Sequence, residues 1–114
     1  MSQSQITMDD FLRVDIRVGT VVEAQEHKGA RKPAIKLKAD FGSEVGILTT
    51  SAQILKYHTP EAIIGQQIAG IVNFPPRQIG KVKSEFLLLG FPDSEGDAVI
   101  VTPIQKVANG GRLF

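Results

Sequence analysis

The chain has 114 residues, 42% of them hydrophobic and 22% charged, with a net charge of +1 and no cysteine. This length sets the expectation of one domain, residues 1–114, and the balance is that of a folded globular chain rather than a disordered one. Without thiols there is neither a disulfide framework nor a thiolate metal site.

The opening segment, MSQSQITMDDFL, has no basic n-region and no apolar h-region, so it does not read as a secretory signal. No apolar run reaches the length that crosses a bilayer. The expectation is a cytoplasmic protein with no membrane insertion. The small net charge hides an asymmetry: residues 1–27 carry −3, residues 28–83 carry +6 and residues 84–114 carry −2. A basic middle in a near-neutral chain suggests a local patch for a polyanion. The same charges also read as an ordinary solvated face.

In chain order, Thr7 before Met8-Asp9-Asp10-Phe11-Leu12 predicts a short capped helix with acids at its positive end. Val14, Ile16 and Val18 alternate with Asp15 and Arg17, which predicts a half-buried strand continuing through Val22, with a bulge or bend at Gly19. Residues 27–33 are polar and basic, a loop. Residues 34–41 form a second strand, with Ile35 and Leu37 inward and Lys36 and Lys38 outward. Gly42 and Ser43 turn the chain into a partner strand through Val45, Ile47 and Leu48.

Residues 53–58 fit one or two helical turns. Thr59-Pro60-Glu61 opens another helix, with Thr59 as cap and Pro60 at its first position, and Gly65 ends it. Residues 67–74 are a strand that Pro75-Pro76 stops, because neither proline donates to a ladder. Residues 77–83 read as a basic loop. Residues 86–89 and 98–101 are two more strands, joined by the acidic turn 92–96. Asn109-Gly110-Gly111 makes a late tight turn. The predicted fold class is all-β with short helices, a small barrel rather than a sandwich.

Catalytic signatures are missing: no phosphate-binding loop, no nucleophile elbow and no zinc spacing around His27 or His58. No enzyme activity, cofactor or metal is expected. Ser51 and Ser84 read as backbone-satisfying hydroxyls rather than nucleophiles. Binding signals are stronger. Lys28, Arg31, Lys32, Lys36 and Lys38 follow one another without an intervening acid, and Arg77, Lys81 and Lys83 follow the proline pair. If both groups flank one barrel face, they form a rim suited to a phosphate backbone. Stacking would fall to Phe41, Phe74, Phe86 or Phe91; Phe74 and Phe86 read as core rather than groove. Ile54 and Tyr57 are expected over the barrel end, with Gln53 facing a groove.

The ordered series VDIRVG (14–19), ARKPAIKLKADFG (30–42), SAQI (51–54), TPEAIIG (59–65) and NFPPRQIGKVKSEFLLLG (73–90) resembles the tRNA-binding domain. That domain is found at the C-terminus of many bacterial methionyl-tRNA synthetases and in the endothelial monocyte-activating polypeptide. The match covers residues 11–114, and within the family the series looks like the CsaA-type export chaperones. The resemblance implies a five-stranded OB-fold barrel with an N-terminal helical segment and a C-terminal extension. It also implies a homodimer joined through the N-terminal helix and residues 107–113.

Carried over residue by residue, it offers Lys32, Arg77 and Ser84 as tRNA contacts, with Asn73 shaping the loop. The sequence departs from the tRNA binders at two places: Glu85-Phe86-Leu87 stands where a polar-Gly-Met tip is usual, and Ser51-Ala52-Gln53 where a Ser-Gly pair is usual. Both departures favour unfolded preprotein or peptide segments as ligands for export, with tRNA as the alternative and a secretion motor as a further candidate partner. The candidate peptide/tRNA-binding set is Lys32, Lys36, Lys38, Ser51, Gln53, Asn73, Phe74, Arg77, Lys81, Ser84 and Glu85. Lys36 and Lys38 also read as guards against edge pairing.

Overall fold

A computed structural model describes residues 4–114. Met1–Gln3, the start of the segment read as carrying no secretory signal, lie outside the described residues. The chain opens with helix α1 (Met8–Leu12), where Thr7 and Asp10 form a reciprocal capping box. Then follow strand β1 (Ile16–Glu26), β2 (Ile35–Asp40), the helical turn α2 (Gly42–Val45), β3 (Ile47–Ala52), α3 (Pro60–Ile63) and β4 (Gln67–Ile71). The remaining strands are short: β5 (Arg77–Ile79), β6 (Val82–Ser84), β7 (Leu87–Leu88), β8 (Gly90–Pro92) and β9 (Ala98–Ile100).

Five strands make one antiparallel sheet in the order β3-β2-β1-β4-β7, curled into a nearly closed OB-type barrel. The curl comes from β1. Its first half, Ile16–Thr20, pairs with β4, and its second half, Thr20–Glu26, pairs with β2. The register shifts between Val21 and Glu23, so one extra residue bends the strand where it changes partner. The sequence puts this bend at Gly19; the structure puts it at Val22, three residues further along.

Gly19 has a different task. A Cβ there would sit 2.8 Å from the Phe41 ring, and one at Gly70 would sit 2.7 Å from Phe86. The two bare backbones admit the central aromatic pair, Phe41 and Phe86, whose rings meet edge to face with centroids 4.9 Å apart. Around this pair pack Val21, Ile35, Leu37, Ala39, Ile54, Ile63 and Ile68. Ile63 comes from α3, which Thr59 caps by accepting the Ala62 N–H, and it plugs the barrel from one end.

Several expectations need correction. Val45 belongs to the helical turn α2, not to the strand after it, because Gly46 takes φ +92° and resets the chain before Ile47. Residues 53–58 make a single helical turn, one of the two forms expected, with His58 N–H donating to the Ile54 carbonyl; Ile54 is buried, but Tyr57 is half exposed rather than covering the barrel end. Residues 77–83 are not a loop: β5 and β6 make a hairpin in which Ile79 faces Val82 across Gly80 at φ +57°.

The strand expected at 67–74 ends at Ile71, and that expected at 86–89 keeps only Leu87 and Leu88. Phe74 lies outside the core at 52% exposure, whereas Phe86 is 2% exposed. The C-terminal extension runs back along β1. Val18 exchanges hydrogen bonds with Gly110 and Gly111, and Leu113 N–H donates to the Ile16 carbonyl. Gln67, buried, clasps Val107 through both its amide oxygen and nitrogen.

Candidate binding groove and basic patch

An open groove of about 890 Å³ runs between two continuous stretches of backbone, residues 50–56 and residues 84–89. Of the candidate residues, Lys32, Ser51, Gln53, Phe74, Arg77, Ser84 and Glu85 line it. Lys36, Lys38, Asn73 and Lys81 do not. Lys36 and Lys38 sit on the opposite side of β2 from Leu37, beside Glu23 and Gln25, and Lys38 pairs with Glu23 at 3.5 Å. Asn73 is committed to the fold: its side chain accepts the Asp15 N–H and donates to the Arg13 carbonyl.

Several lining residues are also spoken for. The Ser84 hydroxyl donates to the Phe86 carbonyl at 3.1 Å and so must accept from Thr50 Oγ1 at 2.8 Å. Glu85 turns its carboxylate onto the Thr49 N–H while its own N–H donates to the Thr49 carbonyl. Ser51 Oγ lies 2.6 Å from His27 Nδ1. That pair is not arranged for nucleophilic work: His27 is buried, and its Nε2 has no carboxylate to orient it among the described residues. Lys32, Gln53, Phe74 and Arg77 have no side-chain hydrogen bond or ion pair among the described residues. They are the groove's available groups.

At the opposite edge of the groove Lys56 is held by Asp93, Glu95 and Asp97 at 2.8, 2.7 and 3.3 Å. The hydrogen bonds from Lys56 and Tyr57 hold the Asp93 carboxyl far below the usual carboxylate range, and those to Asp93 and Glu95 hold the Lys56 ammonium far above its own. Tyr57 donates to Asp93 at 2.6 Å, which raises the phenol above its ordinary value. This cluster neutralises Lys56 and ties the turn after β3 to the β8–β9 hairpin. Nothing in the spacing of Lys56, Tyr57 and the acidic turn, some 37 residues apart, announces that meeting.

The basic residues gather elsewhere. Gly80, at the tip of the β5–β6 hairpin, lies against the loop 27–33: a Cβ on it would fall 2.6 Å from the Gly29 carbonyl oxygen. That contact brings Arg77, Lys81 and Lys83 beside Lys28, Arg31 and Lys32. All six are exposed, and none has a carboxylate partner among the described residues. The sequence gathered both groups as candidates, and the hairpin supplies the geometry that joins them.

The family model described as "Putative tRNA binding domain" matches residues 16–112. The chain belongs to the tRNA-binding domain family. Two solved structures of similar proteins carry the same fold along the whole chain. The chaperone CsaA of Bacillus anthracis str. Ames is 46% identical with a TM-score of 0.90, covering 97% of this chain and 100% of its own. The CsaA chaperone protein of Picrophilus torridus is 40% identical with a TM-score of 0.88, covering 96% and 100%.

A methionine–tRNA ligase of Porphyromonas gingivalis is 35% identical over 108 residues, 95% of this chain. The chain spans about 15% of the length of that ligase. In this chain Lys32 and Arg77 both line the groove, Phe86 lies in the core and Glu85 folds its carboxylate back onto β3.

Proposed function

We propose that this protein is a non-catalytic, CsaA-like chaperone whose groove binds unfolded preprotein segments for export. The observation that carries this reading is the chemistry of the groove. Its free groups are an exposed phenylalanine, an amide and two cations, Lys32 and Arg77, while Lys56, Glu85 and Ser84 are already engaged. Such a surface suits an extended chain with apolar side chains better than a polyanion alone. The captured segment then passes to an export machine, a secretion motor being the candidate.

Assembly as a homodimer is part of the proposal. Arg112 donates to the Leu12 carbonyl and bridges to Arg17, which brings the two ends of the chain together. Ile6, Met8, Leu12, Leu113 and Phe114 are exposed there, an apolar face of the kind that marks an interface. Two grooves per assembly would raise avidity for a long unfolded chain.

A second reading, binding of tRNA, is favoured by one specific feature, the six unpaired cations brought together by the Gly80 contact. It recognises shape and phosphate rather than sequence. The two readings separate by substitution. Phe74→Ala should weaken binding of a labelled unfolded preprotein segment several-fold and leave bulk tRNA binding nearly unchanged. Lys81→Ala, outside the groove, should do the reverse. Equal loss of both ligands in either variant would contradict the division of labour.

A further inference from the structure

The β5–β6 hairpin is a wall with two faces. Its ladder pairs Arg77 with Ser84, Gln78 with Lys83 and Ile79 with Val82. Side chains alternate along each strand, so Arg77 and Ile79 share a face with Val82 and Ser84, while Gln78 and Lys83 share the other. The groove follows this alternation: Arg77, Ile79 and Ser84 line it, and Gln78 and Lys83 do not. The loop 27–33 divides in the same way. Lys32 and Pro33 line the groove, whereas Lys28 and Arg31 lie outside it.

Of the six gathered cations, Lys32 and Arg77 therefore belong to the groove as well as to the patch. The wall that carries Arg77 is pinned at its base, where Thr50 Oγ1 lies 2.8 Å from Ser84 Oγ and Glu85 N–H donates to the Thr49 carbonyl at 2.7 Å. No other cation of the groove can stand in for these two. Lys56, the third one lining it, is held by Asp93, Glu95 and Asp97.

We propose that RNA and an unfolded segment exclude each other on one protomer, because both draw on Lys32 and Arg77. This rests on the two binding readings above and adds a regulation to the groove: a polyanion that covers the whole patch releases the segment. A phosphate backbone gains most when it neutralises all six cations, since each contact releases counterions. To reach all six it must cross the wall and lay phosphates against Lys32 and Arg77 at the groove mouth. A segment seated on Phe74 and Gln53 turns its carbonyl or carboxylate oxygens to the same two side chains. Both are donors only, so each oxygen on them is won from the other ligand. The effect is reciprocal: the factor by which RNA weakens the segment is the factor by which the segment weakens RNA.

The test uses the full chain, bulk tRNA and a fluorescein-labelled unfolded peptide of leucine, glutamine and glutamate. The peptide has no lysine or arginine, and so no cationic hold of its own on RNA. At low salt, saturating tRNA should weaken peptide binding by about tenfold or more. Saturating peptide should bring the tRNA salt slope from about −5 to about −4, as six contacts become four. In the double variant Lys32→Ala/Arg77→Ala each ligand should bind more weakly, and the mutual effect should shrink below about threefold. Lys83→Ala, on the outer face, should weaken tRNA binding and leave the mutual effect unchanged. Independent binding of both ligands to the unaltered chain, or exclusion undiminished in the double variant, overturns the shared-cation device and leaves both binding readings standing. Failure of the peptide alone to bind overturns the segment reading and this inference with it, and failure of tRNA alone does the same for the RNA reading.

Discussion

The contact between the hairpin tip and the loop 27–33 predicts that Gly80→Ala is costly out of proportion to its size. Two terms add. Gly80 sits at φ +57°, where an L-residue loses about 1 kcal/mol relative to glycine. The new methyl carbon would also lie 2.6 Å from Gly29 O and 3.2 Å from His27 Nε2, so backbone must move. Overpacking of that kind costs about 1–3 kcal/mol, giving a total of roughly 2–4 kcal/mol.

Gly96→Ala is the control. Its φ is +89°, but nothing lies within 4 Å of the added carbon, so only the backbone term of about 1 kcal/mol remains. Urea denaturation of the two variants measures the difference directly, since the midpoint tracks stability while the slope tracks surface exposed. The same displacement splits the basic patch. Six phosphate contacts would give a salt slope of about −5 for duplex RNA, and losing three would bring it to about −3. Identical urea midpoints for Gly80→Ala and Gly96→Ala would refute the close contact, and an unchanged tRNA salt slope would refute its role in assembling the patch.

Phe41 is fully buried against Phe86, so Phe41→Ala should destabilise by about 3–5 kcal/mol in calorimetry or urea melts. Gln67→Ala leaves the Val107 N–H and C=O without their partner, so it should cost about 1–3 kcal/mol and speed hydrogen exchange over residues 107–111 before the barrel opens. Tyr57 is the sole tyrosine and there is no tryptophan, so its ultraviolet titration is uncluttered. The phenol should ionise above pH 10, and Asp93→Asn should bring it back toward about 10. Because the folded value is raised, the stabilisation from this bond is complete below the unfolded value and is lost as pH rises through the folded one.

Local rules made much of the barrel legible. Thr7 and Thr59 announced their helices because a cap is a contact across three residues. The alternation of Ile35 and Leu37 with Lys36 and Lys38 gave β2 and its faces, because pleating has a period of two. Features set by distant partners stayed hidden. Phe74 reads as core in a local window, yet the stop at Pro75-Pro76 leaves it beyond the end of β4, facing the groove. Gly19 looks like a bend, but its reason is the Phe41 ring. Its signal was available only jointly, in two glycines, Gly19 and Gly70, placed on paired strands where two aromatics need room. The hairpin at 77–84 was masked by its charges. The pair Ile79 and Val82 flanking Gly80-Lys81 carries the turn signal that basic composition obscured.

The central claim is that the groove and the basic patch, which share Lys32 and Arg77, serve different ligands. Binding of bulk tRNA and of an unfolded preprotein segment to the same sample, each across a sodium chloride series, tests it most directly. The account predicts a steep loss of tRNA affinity, about a thousandfold for a fourfold rise in salt if all six cations act. It predicts that the unfolded segment holds nearly constant over that range. Parallel salt slopes for both ligands would contradict it, because they would place the segment on all six cations rather than on the groove's Phe74 and Gln53 with its two cations alone.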